Sequence, residues 1–288
     1  MTPLQSFSFQ RLADRAGFAR ALRSLVAACL CLPGGALLAQ TDAVPAPKPA
    51  ANTASDPAAT RVTSWGTGFV VGDGYLLTAH HVIQGQGSVL VGPLASGRWS
   101  LAEVVQSDAV LDLALLKARI DLPALSLAPS AEIPTGLEVS VIGYPQPRFQ
   151  GLGKKITQGI VNGYRSEKQK ARDVGLLQIS AEVSKGNSGG PVLAPDGTVI
   201  GMVQRKIDAQ KVAQQTSDLL INVNYALRSS QLIEFLRSGP VEPRVQRLAL
   251  DTVLRPYQLF RNSEASVLAV IGRSAAAEAS TALPLTPP

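Results

Sequence analysis

Gly186–Pro191, with the sequence GNSGGP, decides the fold, because it places a serine inside a glycine-rich turn. An apolar, strand-like pair, Val192-Leu193, leads away from this turn. Glycine permits the tight backbone that points a hydroxyl and backbone N–H groups at one spot. A serine hydroxyl becomes a useful nucleophile only when a base takes its proton and such N–H groups face the developing oxyanion. The stretch therefore predicts a nucleophile, Ser188, with an ordinary turn before a strand as the alternative.

The chain has only two histidines, and they are adjacent, so a histidine base for Ser188 must be His80 or His81. An apolar run with strand character, residues 75–79, precedes them. Neighbouring residues of a strand point to opposite faces, so only one of the two can serve as the base.

Asp112 is the candidate for the third group, a carboxylate that fixes the tautomer of the imidazole and stabilises the imidazolium. It lies in the apolar run of residues 108–116, where burying a lone acid is costly unless the acid is paired. The alternative is an acid at a strand edge that faces solvent. Asp108, in the same run, is the second candidate for the role, with a solvated loop position as its alternative.

The order histidine, aspartate, serine carries a resemblance to a known family. The motifs are Thr78–Val82 (TAHHV), Asp112–Leu116 (DLALL) and the GNSGGP stretch, supported by Gly66–Val71 and Val141–Pro145. Together they resemble the chymotrypsin-fold serine peptidases, and most of all the bacterial Htr/Deg type. The resemblance covers roughly residues 62–237, and its Thr-Ala-x-His-Val pattern gives the base position to His81 rather than His80.

The resemblance implies an all-β fold of two six-stranded antiparallel barrels, closed by a C-terminal helix, with the site in the cleft between the barrels. His81 and Asp112 would belong to the first barrel and Ser188 to the second. Independently, the many short β-rich runs that follow Arg61, separated by turn residues, predict a barrel or sandwich. Apolar spacing over residues 227–237, stopped by Gly239-Pro240, predicts the closing helix.

The same resemblance implies acyl transfer by a Ser188-His81-Asp112 triad. The oxyanion hole is expected in the loop Gly186, Asn187 and Ser188, with the N–H groups of Gly186 and Ser188 as its donors. Secreted digestive relatives carry an acid at the position of Asn187, which pairs with a freshly cut N-terminus. A neutral Asn187 therefore implies an enzyme that needs no N-terminal trimming.

The primary specificity pocket is expected near Glu182 and Ser184, because Glu182 lies six residues before Ser188, where related enzymes place the pocket floor. An acid at the floor favours Lys or Arg in the substrate by charge pairing. The alternative is that Glu182 points to solvent and the pocket is small and apolar. Ser184 is interpreted as a pocket-wall or hydrogen-bonding residue.

The N-terminus has the pattern of a secretory signal over residues 1–39, with a basic region followed by an apolar stretch. This predicts a periplasmic or secreted protein, with an uncleaved signal anchor as the alternative and no stable membrane insertion of the mature chain. A second alternative is the lipoprotein-like box at Val26–Cys29. Both cysteines, Cys29 and Cys31, lie in the signal, so the mature chain has no disulfide and no cysteine–histidine metal cluster.

Three further segments follow the signal. Residues 40–60 are rich in Pro, Ala and Thr and are expected to be a disordered linker. Residues 61–239 form the predicted peptidase domain, and residues 240–288 a partly disordered extension. Within the extension, Val245 to Val253 suggest a short helix and Ser266 to Ile271 a strand. About fifty residues are too few for the PDZ module of Htr-type proteases, so the extension is expected to pack on the barrel, to pair with a partner, or to have no role.

Composition limits the partners. Aromatic residues make up only 5% of the chain, which argues against a stacking platform for nucleic acid. Removing residues 1–39 takes away four arginines and one aspartate and lowers the net charge from +6 to +3, too mild an excess to imply nucleic-acid binding. The expected partners are protein or peptide substrates, without cofactor or metal. Two alternatives share these residues, a non-cleaving protease-like scaffold and an acyl hydrolase with another substrate.

Overall fold

The computed structural model describes residues 62–129, 133–206 and 223–274, all of which fall in one unit of the chain, Ala54–Pro288. The expected signal at 1–39, the linker at 40–60 and the low-complexity tail lie outside the described residues. Twelve strands are present in the described part: β1 Val62–Gly72, β2 Tyr75–Ala79, β3 Ser88–Gly92, β4 Ser100–Asp108, β5 Leu113–Ala118, β6 Glu138–Gly143, β7 Lys155–Gln169, β8 Arg172–Ile179, β9 Pro191–Leu193, β10 Val199–Lys206, β11 Asn224–Arg228 and β12 Val267–Arg273. The α-helices are α1 His80–Ile83, α2 Pro147–Gln150, α3 Ser229–Arg237 and α4 Pro256–Ser263.

These strands form two closed six-stranded barrels in which neighbouring strands are antiparallel. The strand order is β1-β12-β3-β4-β5-β2 in the first barrel and β10-β11-β8-β7-β6-β9 in the second. Closure leaves no open sheet edge in either barrel. The architecture predicted from the family resemblance is therefore confirmed.

Branched and aromatic apolar side chains fill the barrels. Such side chains pack well on a pleated surface, so the short runs that contain them form strands here. Phe69, Leu77 and Leu115 are fully buried in one core cluster, and Leu177 and Ile179 are fully buried in another. Helix α3 follows β11 and buries Leu232, Phe235 and Leu236. It ends at Arg237, just before Gly239, so the predicted closing helix is also confirmed.

The sixth strand of the first barrel comes from the far end of the chain. Strand β12 pairs with β1 on one side, Trp65 with Ile271, and with β3 on the other, Val91 with Val270. Residues 267–272 of β12 are all buried. The strand predicted over Ser266 to Ile271 therefore exists, and part of the segment expected to be an extension outside the peptidase domain is a barrel strand.

The residues between α3 and β12 run along both barrels. Leu127, in the connection between the barrels, donates its N–H to the carbonyl of Arg244 at 2.8 Å, and Leu254 donates to the carbonyl of Pro195 at 2.9 Å. No helix forms over residues 241–255, so the predicted short helix over Val245 to Val253 is wrong. Hydrogen bonds to the rest of the chain hold this segment in an irregular path with a turn at residues 250–251 instead. None of the helices in the described ranges is long and apolar enough to cross a membrane.

Candidate active site

His81 and Asp112 are held together by two hydrogen bonds. His81 lies in the short helix α1 directly after β2, and Asp112 lies in the turn between β4 and β5. The Nδ1–H of His81 donates to Asp112 Oδ2 at 2.8 Å, and the backbone N–H of His81 donates to Oδ1 at 2.9 Å. An ionised carboxylate only accepts hydrogen bonds, so this pairing leaves Nε2 of His81 free to act as a base.

A network of hydrogen bonds shapes the turn that carries Asp112, which adopts φ of +52°. Asp108 accepts from the N–H of Val110 at 2.8 Å and of Leu111 at 3.0 Å through Oδ1, and its Oδ2 pairs with Arg172 of β8. Burial raises the pKa of Asp108, but the hydrogen bonds from Leu111, Arg172 and Val110 outweigh it and hold the pKa below its usual value. Asp108 therefore supports the turn and does not contact His81.

His80 has a different environment from His81. Its backbone N–H donates to the carbonyl of Asp112 at 3.1 Å, and its Nδ1 is buried with no hydrogen-bond partner among the described residues. The two histidines lie in a helical turn rather than in a strand, so consecutive side chains diverge by helical geometry. His81, with 48% of its side chain exposed, is the histidine that reaches the cleft.

Ser188 lies in the loop before β9, and two glycines give this loop its shape. Gly186 has φ of +102° and Gly189 φ of +82°, conformations that favour glycine. A Cβ on Gly189 would meet the carbonyl oxygen of Thr67. The N–H of Gly190 donates to the carbonyl of Asn187 at 2.9 Å, which closes the turn around the serine.

Thr67 of β1 connects the nucleophile loop of the second barrel to the first barrel. Its Oγ1 donates to the carbonyl of Gly186 at 2.7 Å and accepts from the N–H of Tyr144 at 3.1 Å. Its N–H donates to the carbonyl of Ser188 at 2.9 Å, and its carbonyl accepts from Thr78 Oγ1 at 2.7 Å. Thr67 is fully buried, so its two bonds to the carbonyls of Gly186 and Ser188 fix the loop without competing water.

The backbone amides of the loop differ in their availability. The N–H of Asn187 donates to the carbonyl of Ser184 at 3.0 Å, so it is not free to face an oxyanion. The N–H groups of Gly186 and Ser188 have no acceptor among the described residues. The carbonyl of Lys185 accepts from the N–H of Gln146 at 2.8 Å. Because the C=O and N–H of a planar trans peptide point in opposite directions, the Gly186 N–H of the same peptide points away from Gln146.

A cleft of about 520 Å³ brings His81 and Ser188 together. Twelve residues line it, among them Trp65, Arg148 and Phe149, and none of the twelve is acidic. Glu182 and Ser184 are not part of this lining. Glu182 is exposed and its carbonyl accepts from Thr157 Oγ1 at 2.7 Å, while Ser184 is half-buried.

Residues 66–202, just under half of the chain, match the family described as trypsin-like peptidase domain. The chain contains a trypsin-like peptidase domain. It is 38% identical over 141 residues to a probable periplasmic serine endoprotease, DegP-like, from Halomonas elongata, and these residues make up 48% of this chain and 29% of that protein. It is 30% identical over 201 residues to the serine protease Do-like HtrA of Bacillus subtilis, covering 65% of this chain and 42% of that protein.

The peptidase domain also resembles solved structures. The HtrA-type protease AlgW with a decapeptide superposes with a TM-score of 0.50 and 30% sequence identity, covering 60% of this chain and 50% of that one. The chain thus spans less than half the length of the two curated relatives and half of the AlgW chain.

Sequence reasoning missed three residues that hold the site of the peptidase domain together. Thr67 lies in the stretch Gly66–Val71, which the sequence marks only as support for the family resemblance. Arg172 pairs with Asp108, and the side chain of Gln204 donates to the carbonyl of Leu111 in the Asp112 turn. No local pattern marks any of the three, because each acts on a residue far away in the chain. Within the described ranges, no group of three or more His, Cys, Asp or Glu is placed to hold a metal ion.

Proposed function

We propose that this protein is a serine endopeptidase that cleaves peptide bonds with Ser188 as nucleophile, His81 as general base and Asp112 as the carboxylate that orients His81. The observation that carries the proposal is the His81–Asp112 pair at 2.8 Å, opening into the cleft that Ser188 also lines. The similarity to HtrA- and DegP-type proteases supports the same reaction class.

Acylation follows from the roles of these groups. Ser188 gives its hydroxyl proton to Nε2 of His81 as Oγ bonds to the scissile carbonyl carbon, and the carbonyl π electrons move to oxygen. Asp112 stabilises the imidazolium that forms. The imidazolium then gives its proton to the leaving nitrogen as the C–N bond breaks, which releases an amine and leaves an ester on Ser188.

Deacylation repeats these steps with water as the nucleophile. His81 takes a proton from water as the oxygen attacks the ester carbonyl carbon, and returns it to Ser188 Oγ as the acyl bond breaks. In both halves the negative charge develops on the former carbonyl oxygen. The N–H groups of Gly186 and Ser188 are the proposed donors to it, each worth roughly 3–4 kcal/mol in the transition state.

Asn187 supports a further part of the proposal, that the enzyme is active without N-terminal trimming. Its side chain is 3% exposed, and its Oδ1 has no partner among the described residues. A neutral amide at this position does not require a buried ammonium partner, whereas a buried carboxylate would. Comparing protein produced with and without residues 40–61 tests this, since equal activity is expected.

We propose a role in protein quality control or processing in the cell envelope, with a periplasmic or secreted location. The basic and apolar pattern of residues 1–39 and the similarity to a DegP-like protein described as periplasmic support this location. Fractionation of cells that produce the full chain, with a blot for the peptidase domain, tests it. Recovery only from the cytoplasm contradicts it.

Labelling with a fluorophosphonate tests the reaction class directly. The wild-type protein is expected to gain one adduct that peptide mass spectrometry locates on Ser188, and Ser188→Ala is expected to gain none. Ser107→Ala, which removes an exposed hydroxyl outside the cleft, serves as the matched control and is expected to label like wild type. A folded wild-type protein that fails to label and fails to cleave casein supports the scaffold alternative, and cleavage of small esters without casein supports the acyl hydrolase.

A further inference from the structure

We propose that the cleft beside His81 selects substrates with a carboxylate on the leaving-group side of the scissile bond. Arg148 and Lys185 bind this carboxylate, and Trp65 and Phe149 hold an apolar side chain next to it. This inference rests on the proposed peptidase function and names the class of peptide that the same site prefers.

The cleft lies on the leaving-group side because of the position of His81. The imidazole must give its proton to the leaving nitrogen, so the residues that follow the scissile bond pass next to it. His81 and its neighbour Val82 line the cleft, whereas Glu182 and Ser184, on the side expected for the primary pocket, do not. A volume of about 520 Å³ lies within the usual range for ligand sites and accommodates the first few residues of the leaving peptide.

The charge of the cleft is of one sign. Arg148 and Lys185 are exposed at its edge, and within the described part of the chain neither takes part in an ion pair or a side-chain hydrogen bond. None of the lining residues is acidic, so nothing in the cleft neutralises the two cations. A cleft lined by one sign of charge concentrates ligands of the opposite sign, and the guanidinium group matches a carboxylate with two parallel hydrogen bonds.

Two aromatic side chains give the cleft an apolar wall. Trp65 is half-buried, and its Nε1–H donates to the carbonyl of Tyr144 at 3.0 Å, which fixes the ring in place. Phe149 lies on the short helix α2 and is 81% exposed, the largest exposure of any large apolar residue in the described ranges. An aromatic ring left in water beside a catalytic pair is expected to gain its contacts from substrate.

The carboxylate has two possible sources, an Asp or Glu side chain in a longer chain and the free carboxyl end of a peptide cut near its terminus. Both present the same group to Arg148 and Lys185. Peptides in matched pairs separate them, with Glu against Gln at the second position after the scissile bond and with a free against an amidated C-terminus.

A peptide library derived from a whole proteome provides the first test. Cleavage by the wild-type protein is expected to produce new N-termini whose first two positions contain Asp and Glu about three- to tenfold more often than Asn and Gln. This is the size of effect expected from one or two partly exposed ion pairs. The preference is expected to shrink in 0.5 M salt, because salt screens exposed charges. The double variant R148Q/K185Q is expected to lose the preference, and K168Q, which removes a cation on the β7–β8 hairpin outside the cleft, is expected to keep it.

Binding to Ser188→Ala keeps the test independent of turnover. Two pairs of fluorescein-labelled peptides are titrated with this variant and followed by anisotropy. The members of one pair end in Glu amide or Gln amide, and the members of the other pair end in a free or an amidated carboxyl group. Tighter binding of the carboxylate member of either pair, lost in the added R148Q/K185Q background, supports the inference and identifies the source. Equal cleavage and equal binding within both pairs overturns it, while absence of any cleavage with a retained binding preference contradicts only the proposed function.

Discussion

Thr67 Oγ1 lies 2.7 Å from the carbonyl oxygen of Gly186, although the two residues are 119 positions apart in the chain. Through this bond a buried hydroxyl of the first barrel holds the nucleophile loop of the second. The same hydroxyl accepts from the N–H of Tyr144, so its removal leaves a buried donor and a buried acceptor without partners.

Thr67→Val keeps the size of the side chain and removes the hydroxyl. We expect it to lower stability by roughly 1–3 kcal/mol, because two buried backbone groups lose their partner. The rate of fluorophosphonate labelling is expected to fall as well, because the Gly186 carbonyl in the nucleophile loop is less well fixed. Chemical denaturation and labelling kinetics measure the two effects. Thr67→Ser, which keeps the hydroxyl, is the matched control, and equal losses in both variants contradict the role given to the hydrogen bond.

Asp112→Asn tests the carboxylate that orients His81. Asparagine tolerates the positive φ of this position, so the turn is expected to keep its shape. Its amide cannot accept from both His81 N–H groups as the carboxylate does, and the wrong tautomer of His81 is favoured. We expect kcat to fall by about 10⁴-fold at neutral pH with little change in Tm, as loss of a triad carboxylate does elsewhere. A variant within tenfold of wild-type kcat would rule out this role for Asp112.

Asp108→Asn is expected to destabilise the protein in a pH-dependent way. The pKa of Asp108 is held below its usual value, so its carboxylate stabilises the fold at pH values above the ordinary Asp pKa of 3.8, and this contribution disappears as the pH falls through the lower folded-state pKa. The difference in unfolding free energy between wild type and Asp108→Asn is therefore expected to be largest near pH 7 and to shrink below about pH 4.

Denaturation at a series of pH values measures that difference. Arg172→Gln and the double variant complete a mutant cycle, in which a coupling of about 0.5–3 kcal/mol is expected for groups in direct contact. A difference that grows as the pH falls has the opposite sign and refutes the assignment.

Gly189→Ala is expected to disable the nucleophile loop. The residue has φ of +82°, which costs an L side chain roughly 1–2 kcal/mol, and the new Cβ would meet the carbonyl oxygen of Thr67. We expect labelling of Ser188 to fall at least tenfold. Gly163→Ala is the control, because a Cβ there has nothing within 4 Å. Similar labelling of both variants would show that the loop relaxes around the added methyl group.

Val270→Asp tests whether β12 is part of the first barrel rather than an accessory. Val270 is fully buried and pairs with Gly66 on one side and Val91 on the other. A buried unpaired charge there is expected to cost at least about 3 kcal/mol and to remove both folding and labelling. Val253→Asp, at a residue that is 66% exposed, is the matched control and is expected to behave like wild type.

A deletion provides a second measurement of the same point. A chain that ends at Gly239 lacks β12 and leaves β1 and β3 with unpaired edges, so we expect aggregation and no labelling. A chain that ends at Ser274 keeps the strand and is expected to label. If the shorter chain labels normally, the barrel does not need its sixth strand.

Much of the candidate site could be predicted from the sequence because its groups occur in short, dense patterns. The glycines around Ser188, the adjacent histidines and the lone acid in an apolar run each combine a reactive group with a local backbone requirement. The choice of His81 over His80 came from the family pattern, and the pairing of His81 with Asp112 agrees with it. The expected strand around the histidines is instead the short helix α1, because the chain turns immediately after Ala79.

The specificity side of the site could not be predicted in this way. Glu182 was a candidate for a pocket floor by its distance along the chain, yet its side chain is exposed. The orientation of a loop residue depends on what packs behind it, and that information lies elsewhere in the chain. Arg148 and Phe149 carried no signal at all, because their proposed role comes from lining the same cleft as His81.

The sequence by itself predicted the β-rich architecture that the structure confirms, and it named Ser188, His81 and Asp112 as candidate nucleophile, base and acid, through local glycine and apolar patterns together with the family resemblance. Only the tertiary structure decided that residues 267–273 complete the first barrel, that Thr67 holds the nucleophile loop and that Arg172 supports the turn of Asp112 through Asp108. The physical reason is distance along the chain. Backbone pairing and buried hydrogen bonds depend on which groups meet in space, and strand β12 shows no local mark of the partners, β1 and β3, between which it lies.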